Sequence, residues 1–60
     1  MDDYAEIDVE NIGESEMAVK FDDGDNRFWV PKSCMSEWPD EGDTGTALVK
    51  EWFVVKEGLL

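Results

Sequence analysis

Carboxylates are the side chains here that are numerous enough, and regularly enough spaced, to do chemistry. Sixteen Asp and Glu stand against five Lys and Arg in 60 residues, a formal net charge of −11, and histidine is absent. Three groups stand out. Glu6, Asp8 and Glu10 alternate along the chain, Asp22, Asp23 and Asp25 crowd around Gly24, and Asp40, Glu41 and Asp43 follow Trp38-Pro39. Acids so placed could work as an acid–base pair, hold a hard cation, or present fixed negative charge to a basic partner.

The first two uses are poorly served. Without histidine the usual general bases and nucleophile triads are missing. Cys34, the single cysteine, has no imidazole to activate it, and its neighbour Met35 suits an inert buried thiol. Carboxylate pairs are expected by chance among sixteen acids, so the chain reads as a non-enzyme. A structural zinc lacks ligands. Calcium would need the spacing D-x-[DN]-x-[DN]-G with a Glu six residues beyond the Gly. Neither Asp22-Asp23-Gly24-Asp25-Asn26 nor Asp40-Glu41-Gly42-Asp43 has it. The expectation is no metal and no cofactor.

Fixed charge remains. A net charge of magnitude about 2–8 already keeps a small domain soluble, and this chain goes beyond it at the expense of self-repulsion. Such a field repels nucleic acid and anionic membranes and steers the molecule toward basic surfaces. Acids at alternate strand positions lie roughly 6.6 Å apart, from a rise of roughly 3.3 Å per residue. That is of the order of phosphate spacing in DNA, one per roughly 3.4 Å of axis on each strand and farther along the winding backbone. Glu6, Asp8 and Glu10 would form one row, Asp22, Asp23 and Asp25 would extend it, and Asp40, Glu41 and Asp43 would add a second acidic loop beside Trp38. An aromatic at such a margin could anchor a partner, although in a domain this small Trp29 and Trp38 are each expected to pack.

Residues 1–60 make one domain, and a chain of this size buries only about 60% of its unfolded surface. Its core must come from seven aromatics and the aliphatics, or from a second subunit. A lone cysteine fits a reducing compartment. No leader and no run of about 18 apolar residues is visible. The expectation is a cytoplasmic protein, possible homodimerisation through a sheet edge included.

The elements that must position the acids can be read in order. Met1-Asp2-Asp3 reads as a frayed start. Ala5 to Glu10 alternates strictly, with Ala5, Ile7 and Val9 inward and the acids outward. Asn11 to Glu16 reads as a turn, with Gly13 at positive φ. A hairpin follows, Met17 to Phe21 and Arg27 to Val30, ended by Pro31. Its loop turns at Asp23-Gly24 or, better on charge, at Gly24-Asp25, which pairs Asp22 with Arg27 and sets Lys20 beside Trp29. Either register puts Val19, Phe21, Phe28 and Val30 on one face, the expected centre of the core. Lys32 to Trp38 is ambiguous and is read as a short helical turn after Pro31, then a brief fourth strand ending near Trp38. Pro39 to Gly45 is a loop and Thr46 to Val49 the last strand. Lys50 to Glu57 reads as a helix with Leu48, Trp52, Val55 and Leu59 at i, i+4, i+7 and i+11, closed by Gly58 as a positive-φ C-cap with Leu59 folding back. A strand over Trp52 to Val55 is the competing reading. The expected fold is α+β but mostly β: a four- to five-stranded antiparallel sheet or small open barrel with a short C-terminal helix.

Trp29-Val30-Pro31-Lys32-Ser33, after a strand such as Met17 to Phe21, resembles a W-[VIL]-P-K-S pattern of small phage and prophage proteins. Glu51-Trp52 and the later Gly58-Leu59 are similar to the E-W…G-L segment that closes such chains, with Lys50 here where a Pro often precedes Glu-Trp. In size and charge, without a shared motif, the chain also resembles small acidic phage inhibitors, including anti-CRISPR and anti-restriction proteins of the DNA-mimic type. The resemblance implies a phage origin, a β-rich fold and a partner that is a basic, nucleic-acid-binding protein complex. Two competing expectations are a phage accessory domain that binds a replication or recombination protein through Trp29 and Trp38, its acidity incidental, and a calcium-loaded structural module.

Overall fold

The computed structural model describes residues 3–59. Its order is β1 (Tyr4–Glu14), β2 (Ala18–Asp22), β3 (Arg27–Pro31), a 3-10 turn (Lys32–Cys34), β4 (Met35–Glu37), β5 (Thr44–Lys50) and α1 (Glu51–Glu57). The strands form one antiparallel sheet in the order β3-β2-β1-β5-β4. The fold is therefore mostly β with one short C-terminal helix, and the succession of helical turn and fourth strand after Pro31 is realised.

Connectivity forces this sheet to curl. Four inter-strand steps of about 4.8 Å would hold β3 and β4 about 19 Å apart if the sheet were flat. The four residue steps from Pro31 to Met35 span at most about 14 Å, and less in a 3-10 turn. The two outer strands must therefore roll toward each other. The inside of the roll holds the core: Ile7, Val9, Val19, Phe21, Val30, Cys34, Met35, Ala47 and Val49, capped by Phe53 and Val54 of α1. Burying each Val, Ile, Phe or Met among them contributes about 1.5–3 kcal/mol.

β1 is the strand around which the sheet is built, flanked by β2 and β5. Its alternation holds as read, with Ile7 and Val9 buried and Glu6, Asp8 and Glu10 exposed. The hairpin lies at one side of the sheet yet supplies the core as read, with Val19, Phe21 and Val30 fully buried and Phe28 packed against them. Its register is the charge-favoured one: Asp22 opposite Arg27, Lys20 opposite Trp29, Val19 opposite Val30 and Phe21 opposite Phe28. Gly24 takes the positive φ of 102° that the tip requires.

The structure departs from the sequence expectation at four places. Asn11 to Glu14 is strand, not turn: β1 pairs with β2 through this stretch across an irregularity between Asn11 and Gly13 that absorbs Ile12. That bulge bends the strand without a left-handed residue, so Gly13 has no positive φ. The expected loop is shorter than Pro39 to Gly45, because Thr44 and Gly45 pair with Glu10 and Val9. The helix exists, but its inward side is Phe53 and Val54, while Trp52 and Val55 (67% exposed) face outward. The stripe counted from Leu48 failed because Leu48 belongs to β5, and strand phase does not carry into a helix. Of the expected frayed start, Met1 and Asp2 lie outside the described residues, while the Asp3 carbonyl accepts the Glu51 N–H at 2.8 Å.

A seven-residue helix is not stable alone; burial of Phe53 and Val54 holds it. Gly58, at φ 69°, ends it. The Leu59 amide donates to the Val54 carbonyl at 2.9 Å and the Gly58 amide to Val55 at 3.2 Å, the Schellman pattern, and Leu59 folds back onto the core as read. Among the described residues, no helix is long and apolar enough to cross a membrane.

Candidate functional site

Strand pairing brings the candidate acids together around the middle of β1, which the two acidic loops approach from opposite ends of the sheet. Glu10 is the junction. Its cross-strand partner on β2 is Asp22 and on β5 is Thr44. The hairpin tip therefore lies on one side of Glu10 and the 38–43 loop on the other. Asp8, Glu10, Asp22, Asp23 and Thr44 line one shallow recess. A larger groove, also reaching Thr44, is lined by Trp38, Asp40 and Asp43 together with Glu37. Glu6 continues the β1 row beyond Asp8, and Asp25 stands exposed at the hairpin tip. Glu41 is exposed in the turn before Gly42 and lines neither recess.

The two ion pairs among the described residues are Arg27–Asp22 at 3.2 Å and Lys32–Glu14 at 3.1 Å. Only Asp22 of the candidate acids is engaged in one. Glu10 and Asp22 are like charges directly opposite each other, an arrangement that disfavours folding. Arg27 relieves part of that, at the outer side of Asp22.

The acids differ in what else they do. Asp22 Oδ1 accepts the Gly24 amide at 2.7 Å while Oδ2 takes the Arg27 Nε–H. The Gly24 amide first, and Arg27 second, hold the Asp22 carboxyl below its usual range. Asp23 Oδ1 accepts the amides of Asp25 and Asn26 at 2.9 and 2.7 Å, the local bonding that makes Asp a turn former. Asp8 Oδ1 accepts the Thr46 hydroxyl at 3.1 Å. Among the described residues, no group of three metal-ligating side chains gathers anywhere, the two acidic loops included.

Trp38 is half-buried and packs against the core, as expected for a packing residue, while also lining the groove. Trp29 departs from its expectation: it is 50% exposed on the outer face, with the Lys20 ammonium 5.9 Å from its ring centroid. An outward position opposite Lys20 leaves nothing for the indole to pack under.

The residue that sequence reasoning missed is Asn11, fully buried and the one buried polar side chain among the described residues. Its amide nitrogen donates to Glu14 Oε2 and to the Pro39 carbonyl, both at 2.9 Å, and its Oδ1 accepts the Gly13 amide at 3.1 Å. Its backbone N–H donates to the Asp43 carbonyl at 3.0 Å, and its carbonyl accepts the Gly42 amide at 2.9 Å. Three of these five bonds reach the 38–43 loop and tie it to β1. Glu14 is in turn held below the usual carboxylate range by Asn11, then Lys32, with Trp38 adding to the effect. The signal for Asn11 was present in the alternation, since it takes the inward place after Ile7 and Val9.

Comparison of the chain with models of known families, with curated proteins and with solved structures gave no match.

Proposed function

We propose that this protein is an acidic phage-type inhibitor. It mimics nucleic-acid charge and docks its acidic face on the Lys/Arg-lined DNA-binding surface of a host defence complex such as CRISPR–Cas, excluding DNA by competition in the host cytoplasm. The observation that carries the reading is the position of Glu10: the β1 row of Glu6, Asp8 and Glu10 runs into a junction with Asp22 on one side and the loop of Asp40, Glu41 and Asp43 on the other. Glu10 faces Asp22 at a cost to folding, and departures from local folding preference concentrate where function overrides them. Fixed carboxylates in a row displace phosphates one for one, so the protein binds the same cations that DNA would.

The test is capture from host lysate on the immobilised protein, with and without competing duplex DNA. The reading expects a basic nucleic-acid-binding partner that duplex DNA displaces and that weakens steeply as salt rises. Capture that neither DNA nor salt affects overturns it. A second reading is favoured by one observation, the half-exposed Trp29 beside Lys20. An accessory domain using that surface would keep its partner in high salt and lose it on Trp29→Ala.

A further inference from the structure

Acidity alone does not distinguish one part of this surface from another. The groove beside Trp38 is different because three kinds of wall meet there. The indole of Trp38 and the ring of Pro39 form an apolar side, the hydroxyl-bearing Thr44 and Thr46 of β5 line another, and Glu37, Asp40 and Asp43 supply carboxylates with no Lys or Arg among the lining residues. The groove is also held in shape. Asn11 fixes Pro39, Gly42 and Asp43 by the three hydrogen bonds described above. Pro39 packs so closely on Gly45 that a Cβ there would lie 3.3 Å from the Pro39 Cβ. Neither ion pair of the described residues reaches it, since Arg27 serves Asp22 and Lys32 serves Glu14.

We infer that this groove is a receptor for a single arginine side chain of a basic protein partner, its guanidinium laid against Trp38 and hydrogen-bonded to Asp40 and Asp43. Charge complementarity requires a cation, and the indole wall selects among cations. A planar, weakly hydrated guanidinium stacks on an aromatic face and offers a fork of donors to carboxylates, whereas an ammonium is a compact, strongly hydrated point charge. The threonine hydroxyls can accept the remaining N–H groups. Because Asn11 orders the loop beforehand, little additional ordering is needed on binding. Asn11 is then a positioning residue for the groove. This site deepens the nucleic-acid-mimic reading, in which a phosphate-binding arginine of the partner is the natural occupant.

The test uses the intact protein, isotope-labelled and observed by NMR, titrated with N-acetyl-arginine methylamide and, separately, N-acetyl-lysine methylamide. Saturable shifts are expected at the Trp38 indole and the Thr44 and Thr46 amides, with arginine binding several-fold more tightly than lysine. Trp38→Leu should weaken arginine binding by roughly tenfold, within the range of a partly desolvated cation–π contact. Trp38 also packs on the core, so the paired change Asp40→Asn, Asp43→Asn, on the exposed rim, provides the second arm. It should weaken binding to a similar degree while leaving the spectrum of the core unchanged. Asn11→Ser should weaken it too, with Gly42 and Asp43 amide exchange rising. Shifts of equal size for lysine and arginine, or shifts spread over Glu6, Asp8 and Asp25, overturn the proposal. The outcome separates from that of the lysate capture: arginine binding without a DNA-displaceable partner retains the groove and removes the mimic, and the reverse result removes the groove alone.

Discussion

At the hairpin tip, Asp22 and Asp23 accept three backbone amides between them and Asp22 also engages Arg27. Along the outer face of β1, Asp8 accepts the Thr46 hydroxyl at 3.1 Å, the Glu6 and Glu10 carboxylates accept no hydrogen bond among the described residues, and Glu10 is set directly against Asp22. Sequence gives the two groups the same look, three acids within five residues. Folding accounts for most of the first group, because a tight turn around Gly24 needs acceptors for its exposed amides. Beyond the Asp8 bond to Thr46 it does not account for the second, since acids are poor strand formers and repel along one face. Charge that the fold uses says nothing about function, and charge that the fold merely tolerates is the part available to the proposed partner.

The comparison can be broken most sharply by reversal. Changing Glu6, Asp8 and Glu10 together to Lys should reduce partner capture by about a hundredfold or more, because like charges then face a basic surface, while circular dichroism shows the sheet intact. The tip should answer the other way. Gly24→Ala forces an L-residue to φ 102°, costing at least about 1 kcal/mol, or a melting temperature lower by about 4–8 °C in a domain of this size. Asp23→Ala should cost about 1 kcal/mol through its two lost amide bonds, measured by urea unfolding, whereas Asp25→Ala should leave the midpoint in place. Glu10→Gln is a smaller change of opposite sign: relief of the Glu10–Asp22 repulsion should raise the melting temperature by about 2 °C.

The smallest effect is in pH. The Asp22 and Glu14 carboxyls lie below their ordinary values of 3.8 and 4.5 in the folded protein. Lowered pKa values mean that the folded state favours the ionised form. The stability they add is thus complete above those ordinary values and is lost as pH falls through the lower folded ones. The Asp22 and Glu14 side chains, 25% and 26% exposed, are still partly screened by solvent, so Asp22→Asn should flatten the acid limb of the stability curve slightly and leave neutral pH almost untouched.

How much of this could be read from residues alone follows the range of the forces involved. Period-2 alternation placed Ala5 to Glu10, charge pairing chose the hairpin register, and Gly58 followed by Leu59 announced the end of the helix, all local signals. What escaped depended on distant partners. Asn11 and Gly13 look like a turn until the 38–43 loop supplies hydrogen-bond partners and β2 supplies a bulged pairing. Phe53 and Val54, rather than Trp52 and Val55, face inward because α1 docks across β1 and β5, a direction that no count along the helix contains. The acids of the site were named from spacing, but their convergence on Glu10 required the strand order. The groove at Trp38 was hidden for the same reason: its walls come from β4, β5 and a loop held by β1.

In the proposed reading Glu6 and Glu10 serve a partner and not the fold. Glu10→Gln tests it most directly, with thermal unfolding and DNA-displaceable lysate capture measured on the same preparation. The account predicts that the melting temperature rises while capture falls. A melting temperature that falls, with capture unchanged, would contradict it.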